Sequence, residues 1–126
     1  MSKEIESLIP HRSPFLFVDH ILVANEKEIV GTKRLPESNC IPGMILVESM
    51  AQCGGAGIKK AGLADGFFGL VSMEDVAFLK GIFYGQEIKY VVKNIRVSNR
   101  LIKQSGVAYY KEVPITKATW VCARIG

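Results

Sequence analysis

Histidine and cysteine are scarce in this chain of 126 residues. His11 and His20 are the only two histidines, so an acid–base or metal site has few imidazoles available. Three cysteines lie far apart, odd in number and without the spacing of metal ligands, at Cys40, Cys53 and Cys122. They are predicted to be free thiols in a reducing compartment. The sequence predicts neither a metal ion nor another cofactor.

Long apolar runs are missing as well. No stretch approaches the roughly 18 consecutive apolar residues that a membrane-spanning helix needs. Acidic residues stand in the first ten residues, MSKEIESLIP, where a secretory signal would have an apolar core. A chain of this length can build one core but not two. We therefore expect a single domain over residues 1–126, without a membrane span and located in the cytoplasm.

The formal net charge is +4, and basic residues collect in the second half of the chain. They come without zinc-ligand spacing, an RNA-binding aromatic motif or a helix-turn-helix, so nucleic-acid binding is not predicted. An acidic protein partner, a membrane surface and the charged outer face of a sheet all fit this pattern. The residues are Lys80, Lys89, Lys93, Arg96, Arg100, Lys103 and Lys111.

One long helix and several strands are predicted. Pro42 and Gly43 introduce a helix from Met44 to Lys60, which Gly62 ends as a glycine cap. A short helix from Lys3 to Ile9 precedes it. Branched and aromatic residues predict strands at Phe15–Ala24, Glu28–Leu35, Phe67–Met73, Val76–Phe83, Glu87–Val97, Leu101–Lys111 and Ile115–Ile125. Short turns join the last three into an antiparallel meander, so the fold class is α+β.

The long helix carries a narrow polar stripe. At 100° per residue, one arc of its surface contains Glu48, Gln52, Gly55 and Lys59. A stripe that faces water is the ordinary explanation. This stripe is thin for an exposed face, however, and each glycine of CGGAG costs roughly 1 kcal/mol in helix propensity. We therefore infer that another backbone or a ligand lies close against the helix.

The start of the helix offers a second part of a site. The backbone N–H groups of Gly43 and Met44 have no partner within the helix and lie at its positive end, where they can receive an oxyanion. Glu48 follows little more than one turn later. Oxyanion donors and a partly buried carboxylate are sufficient for acid–base chemistry at a carbonyl, including that of a thioester.

The chain resembles the FabZ-type 3-hydroxyacyl-[acyl-carrier-protein] dehydratases along nearly its whole length. Three blocks in the family's order carry the resemblance: LIPHRSPFLFVD (Leu8–Asp19), PGMILVESMAQ (Pro42–Gln52) and SMEDVAFLKGIFYGQEI (Ser72–Ile88). The resemblance implies the hotdog fold, in which an antiparallel sheet wraps a long helix, usually in a dimer or a trimer of dimers. It also implies acyl thioesters of acyl carrier protein or coenzyme A as ligands, in fatty-acid or related acyl-chain biosynthesis.

The resemblance implies roles for single residues too. Gly43 would donate its N–H to the thioester carbonyl, and Glu48 would assist departure of the β-hydroxyl group. Gln52 would hold Glu48 from one turn away. Met44 and Gly55 complete the candidate substrate-binding set. The acyl chain would run between two subunits, which would account for the helix glycines.

One functional element of the family is missing. Family members carry a Gly-His-Phe-Pro-Gly loop before the helix, and its histidine is the proton-transferring base. Here PESNCIPG (Pro36–Gly43) alone precedes the helix, and about ten residues are absent. His11 belongs to the family-like PHR segment, where the resemblance implies a structural role. Nothing in the sequence places His11 or His20 near the helix start, and Cys40 has no activating base beside it. We therefore expect the chain alone to be a very poor dehydratase.

Three functions stay open at this point. The first is a divergent dehydratase, completed by a histidine from a different hotdog subunit. The second is an acyl thioesterase that uses Glu48 with backbone N–H donors. The third is a non-catalytic module that binds acyl carrier protein or acyl chains. In each case we expect at least a homodimer. An acidic carrier protein would be recruited by the basic strand residues, or by Lys59 and Lys60 at the helix end.

Overall fold

The computed structural model describes residues 3–11, 16–34, 43–79 and 87–125. Its elements are α1 (Lys3–Leu8), β1 (His20–Ala24), β2 (Glu28–Arg34), α2 (Gly43–Lys60), β3 (Phe68–Phe78), β4 (Glu87–Val97), β5 (Leu101–Tyr110) and β6 (Val113–Arg124). Several sequence predictions concern residues outside these ranges. They are the strand ends at Phe15, Leu35 and Phe83, and the residues Cys40, Pro42 and Lys80. Neither α1 nor α2, the helices of the described part, is long and apolar enough to cross a membrane.

The strands form one antiparallel sheet in the order β1-β2-β4-β5-β6-β3. The turn between β5 and β6 places Lys111 and Glu112 at positive φ, 48° and 69°, which suits the twist of a tight hairpin. In the turn between β4 and β5, the Ser98 hydroxyl accepts the N–H groups of Arg100 and Leu101. These local turns produce the meander that the sequence predicts.

Two predicted strand boundaries are wrong. β1 begins at His20 rather than Phe15, and Phe17 donates its N–H to the side chain of Gln52 instead of to a neighbouring strand. The predicted strands Phe67–Met73 and Val76–Phe83 are joined in β3, which continues through an irregularity between Glu74 and Ala77. Asp75 has a φ of 53° there, in the left-handed region that one type of bulge uses. Asp75 therefore bends the strand without ending it.

Helix α2 packs on the inner face of the sheet. In β6 the alternate residues Thr116, Ala118, Trp120 and Cys122 are buried, as period-2 patterning predicts. Gly62 ends α2 at a φ of +70°, and the N–H of Leu63 reaches the carbonyl of Ile58 at 3.0 Å. The predicted glycine cap is therefore confirmed.

A buried amide connects α2 to the sheet. Gln104 of β5 donates from Nε2 to the Gly54 carbonyl at 3.3 Å and to Asn94 Oδ1 at 2.8 Å. Its Oε1 accepts the indole N–H of Trp120 at 3.1 Å. A buried amide bonded on both sides fixes the position of the helix against β5, because any shift would leave polar groups unpaired in the core.

The helix glycines have an explanation within the chain. A methyl group at Gly54 would collide with the Gln104 side chain, and one at Gly57 would collide with Ile29 of β2. The inference that a ligand or another backbone explains these two glycines is therefore wrong. Gly55 differs from them, because the nearest atom to a methyl group there is Ile9 Cγ2 at 4.0 Å.

Candidate functional site

A cavity of about 190 Å³ runs along the polar stripe of α2. All four stripe residues, Glu48, Gln52, Gly55 and Lys59, line it, so the stripe faces a cavity instead of open solvent. The other lining residues are mostly apolar. They come from α1 and the residues after it, α2, the connection from α2 to β3, the strands β3, β5 and β6, and the residue after β6. They are Leu8, Ile9, Pro10, His11, Ala51, Ile58, Ala64, Gly66, Phe67, Phe68, Gly69, Leu70, Ile102, Gln104, Cys122 and Ile125.

Gln52 orients the carboxylate of Glu48. The Gln52 side chain, 3% exposed, accepts the Phe17 backbone N–H on Oε1 at 2.9 Å. Its NH₂ group is thereby directed toward Glu48 and donates to Oε2 at 3.0 Å. The expected contact between residues four apart on the helix is present, and the backbone before β1 determines which way the amide points.

His11 lies beside the same carboxylate oxygen. Its Nε2 atom is 3.7 Å from Glu48 Oε2, and the two side chains are 34% and 37% exposed. No feature of the sequence indicated a histidine beside Glu48, so this contact was not predicted. The prediction that the chain alone is a poor dehydratase relied on the missing family histidine and did not take His11 into account as a base.

The packing of α1 explains the position of His11. Ile5 and Ile9 are buried, and Lys60 at the end of α2 forms an ion pair of 2.9 Å with Glu4. The chain therefore runs back along α2 from its C-terminal end toward Glu48. No signal in the sequence could have located the imidazole, because the position depends on contacts between α1 and a helix about forty residues later in the chain.

The other histidine and the two described cysteines are less suited to act as a base or a nucleophile, although Cys122 also lines the cavity. His20 is exposed at the start of β1 and is absent from the described lining of the cavity. Cys53 and Cys122 are buried free thiols. Burial, and secondly the charge of Glu48, raise the pKa of Cys122 to about 11, and burial also raises the pKa of Cys53. Both thiols are protonated near neutral pH and are poor nucleophiles.

The two ends of the stripe differ in character. At the far end the ammonium group of Lys59 lies 4.1 Å from the centre of the Phe67 ring. Helix α2 begins at Gly43, and the first-turn N–H groups of Gly43 and Met44 lie about 6 to 7.5 Å along the axis before Glu48. Met44 is 46% exposed and is absent from the described lining of the cavity. The structure therefore groups Glu48, Gln52 and Gly55, and leaves Met44 at the exposed helix start.

No protein-family model matches the chain, but curated relatives do. The 3-hydroxyacyl-[acyl-carrier-protein] dehydratase FabZ of Solibacter usitatus is 30% identical over 132 residues, covering 94% of this chain and 82% of the relative. FabZ of Geobacillus sp. is 33% identical, covering 84% of this chain and 82% of the relative. An alignment of 132 positions is longer than this chain, so the first relative has residues that this chain lacks, as a shortened loop requires.

Solved structures share the arrangement of the strands around the helix. The dehydratase heterocomplex ApeI:P from Xenorhabdus doucetiae matches with a TM-score of 0.85, covering 100% of this chain and 93% of that chain at 13% identity. A hypothetical thioesterase with coenzyme A from Streptococcus pneumoniae matches with a TM-score of 0.68, covering 98% and 92% at 14% identity. At these identities the likeness shows the fold alone, and the expected α+β hotdog fold is confirmed.

Proposed function

Because this chain belongs to the FabZ family of 3-hydroxyacyl-[acyl-carrier-protein] dehydratases, we propose that it binds and dehydrates acyl thioesters of acyl carrier protein in fatty-acid or related acyl-chain biosynthesis. The observation that carries this proposal is the cavity beside α2, whose walls are mostly apolar and which contains the oriented carboxylate of Glu48. Location in the cytoplasm and a single domain over residues 1–126 stay predictions from the sequence.

The acyl chain occupies the cavity, and its thioester carbonyl lies toward the start of α2. There the N–H groups of Gly43 and Met44 donate to the carbonyl oxygen, which stabilises the negative charge that develops when C2 loses a proton. Glu48 assists departure of the hydroxyl group from C3, and Gln52 holds the carboxylate in place. Gly55 supports this arrangement because its missing side chain leaves the cavity open.

Basic residues attract the acidic carrier protein. Of the five candidates on β4, β5 and the turn between them, Lys93 forms an ion pair with Glu28 at 3.5 Å and Lys103 one with Glu74 at 3.0 Å. Lys89, Arg96 and Arg100 are exposed. Lys60 is paired with Glu4, so of the two lysines at the helix end Lys59 is the better placed, on the cavity wall. A coenzyme A thioester has the same acyl group and enters the same cavity.

Titration with a carrier protein that bears its acyl chain through a non-hydrolysable amide tests this function. We expect saturable binding that requires the acyl chain and weakens as salt screens the charges. Gly55→Leu should weaken the part of the binding that depends on the acyl chain, because the leucine side chain enters the cavity. Asn99→Leu, in the exposed turn before β5, is the matched control. Equal binding of the carrier with and without its acyl chain would contradict the proposal.

A second candidate function is that of one subunit in a dehydratase formed by two different chains. The solved neighbour from Xenorhabdus doucetiae is a dehydratase heterocomplex, and this chain lacks the family's histidine loop. Such a subunit would dehydrate substrate only when a histidine-bearing hotdog protein is added. The thioesterase alternative, which also uses Glu48, differs in its product, since it releases a free thiol from a saturated acyl thioester.

We propose that the protein is a homodimer, or a larger homo-oligomer, paired along β3. This strand of 11 residues ends the sheet, with β6 as its partner on one side, whereas β1 at the other edge has 5 residues. It also carries exposed apolar side chains, among them Val71 at 64% and Phe78 at 55%. A long apolar edge strand favours pairing with another chain. The helix glycines, which were expected to support a dimer, do not support it.

Light scattering at micromolar concentration should therefore give the mass of a dimer or a larger assembly. Val71→Lys places a charge on the β3 edge and should shift the protein toward monomer. Ile95→Lys, an exposed apolar residue of β4 that lies away from both sheet edges, should leave the mass unchanged. A wild-type monomer would contradict the proposed pairing.

A further inference from the structure

We propose that His11 supplies the base for this chain, acting with Glu48 as a proton-transfer pair inside one subunit. The inference rests on the proposed function, because it concerns the reaction of the same acyl thioester. It assigns a catalytic role to a histidine outside the loop that the family uses. The distance of 3.7 Å between His11 Nε2 and Glu48 Oε2 is the observation from which it starts.

Both groups are placed where a substrate can reach them. His11 and Glu48 line the cavity, and each side chain keeps about a third of its surface exposed, at 34% and 37%. The neighbouring walls are apolar, with Leu8, Ile9 and Ala51 among the lining residues. An imidazole that touches both a carboxylate and an apolar cavity is suited to removing a proton from carbon, since it lies within reach of a bound acyl chain.

Packed residues hold both members of the pair, His11 and Glu48, in place. His11 follows α1 by three residues, and Ile5 and Ile9 of this segment are buried against the core. On the other side, Gln52 holds Glu48 through the bond of 3.0 Å to the same oxygen, Oε2, that His11 approaches. Packing therefore brings the two groups to 3.7 Å before substrate binds, and proton transfer needs only a small further approach to hydrogen-bond distance.

The reaction balances with these two groups alone. The reaction starts from the form of the pair in which Glu48 carries one proton and His11 Nε2 carries none. His11 Nε2 takes a proton from C2, the C2–H electrons form the C2=C3 double bond, and the C3–O bond breaks. The leaving oxygen takes the proton of Glu48 and departs as water. Transfer of the new proton from Nε2 to Oε2 restores the pair, which explains why the base lies directly beside the acid.

The test makes three measurements. They are the hydration of an enoyl pantetheine thioester, the exchange of the C2 proton of the 3-hydroxyacyl thioester with deuterated solvent, and the binding of a non-reactive acyl analogue. We expect His11→Gln to lower kcat and C2 exchange by about 10²- to 10⁴-fold, with KM and analogue binding nearly unchanged. Added imidazole should restore part of the activity of His11→Ala. His20→Gln, an exposed histidine on β1, should behave as wild type.

Failure of this inference and failure of the proposed function look different. If wild type binds the analogue but His11→Gln keeps the wild-type kcat, His11 is not the base. If wild type binds the analogue and exchanges no C2 proton, the pair is inactive and the proposal is overturned, whereas acyl binding stands. If wild type binds no acyl analogue, the proposed function itself fails.

Discussion

Replacing Glu48 by glutamine should lower the rate of dehydration of a 3-hydroxyacyl thioester by about 10²- to 10⁴-fold, the contribution typical of one positioned acid or base. Glutamine has nearly the same shape, so the cavity keeps its form. Its amide can still accept the hydrogen bond that Gln52 donates to Glu48 Oε2. It can neither give a proton to the leaving hydroxyl group nor receive one from His11. The loss should therefore appear in kcat, with little change in the affinity for the acyl analogue.

The matched control is Glu28→Gln. Glu28 begins β2 and forms an ion pair with Lys93 at 3.5 Å on the outer side of the sheet, away from the described lining of the cavity. Both substitutions remove one carboxylate, so a change in net charge alone would affect the two variants equally. Equal rates for Glu48→Gln and wild type would show that Glu48 takes no part in the reaction.

Two alanine substitutions in α2 should have effects of opposite sign on stability. Gly57→Ala should lower the free energy of unfolding by about 1–3 kcal/mol, because the new methyl group overlaps Ile29 of β2. Gly55→Ala should raise it by about 0.5–1 kcal/mol, because alanine favours the helix and the nearest atom to its methyl group is 4.0 Å away.

Urea unfolding of the two variants beside wild type measures both changes, and each variant serves as the control for the other. They share the helix and the gain in helix propensity, so the difference between them isolates the contact with Ile29. A loss of stability at Gly55 as large as that at Gly57 would mean that the helix glycines are retained for a reason other than packing within the chain.

Much of the fold could be predicted from the sequence because its signals are local. Helix α2 follows from its start at Gly43 and its cap at Gly62, and the last three strands follow from their alternation and short turns. The bulge at Asp75 could not be foreseen, since a polar pair within an apolar segment indicates a turn just as well. Asp75 takes up a positive φ inside the strand, so β3 continues where a break was predicted.

The candidate site could be predicted only in part, because only some of its contacts are local in the sequence. Glu48 and Gln52 share a helix face by periodicity, and their contact is present. His11 reaches Glu48 because α1 packs along α2, and this contact is set by tertiary structure. The neighbours of Gly54 and Gly57, Gln104 and Ile29, also belong to strands far along the chain. The spacing of residues within a segment contains no information on such contacts.

Hydration of a short enoyl thioester by the purified chain, with no second hotdog protein present, tests the central claim most directly. The cavity beside α2 holds a carboxylate and an imidazole 3.7 Å apart in one subunit, so we predict saturable turnover by the chain alone. The contradicting result is an inactive chain that gains activity only when a histidine-bearing hotdog protein is added. The base would then belong to the partner, and His11 would have no part in the reaction.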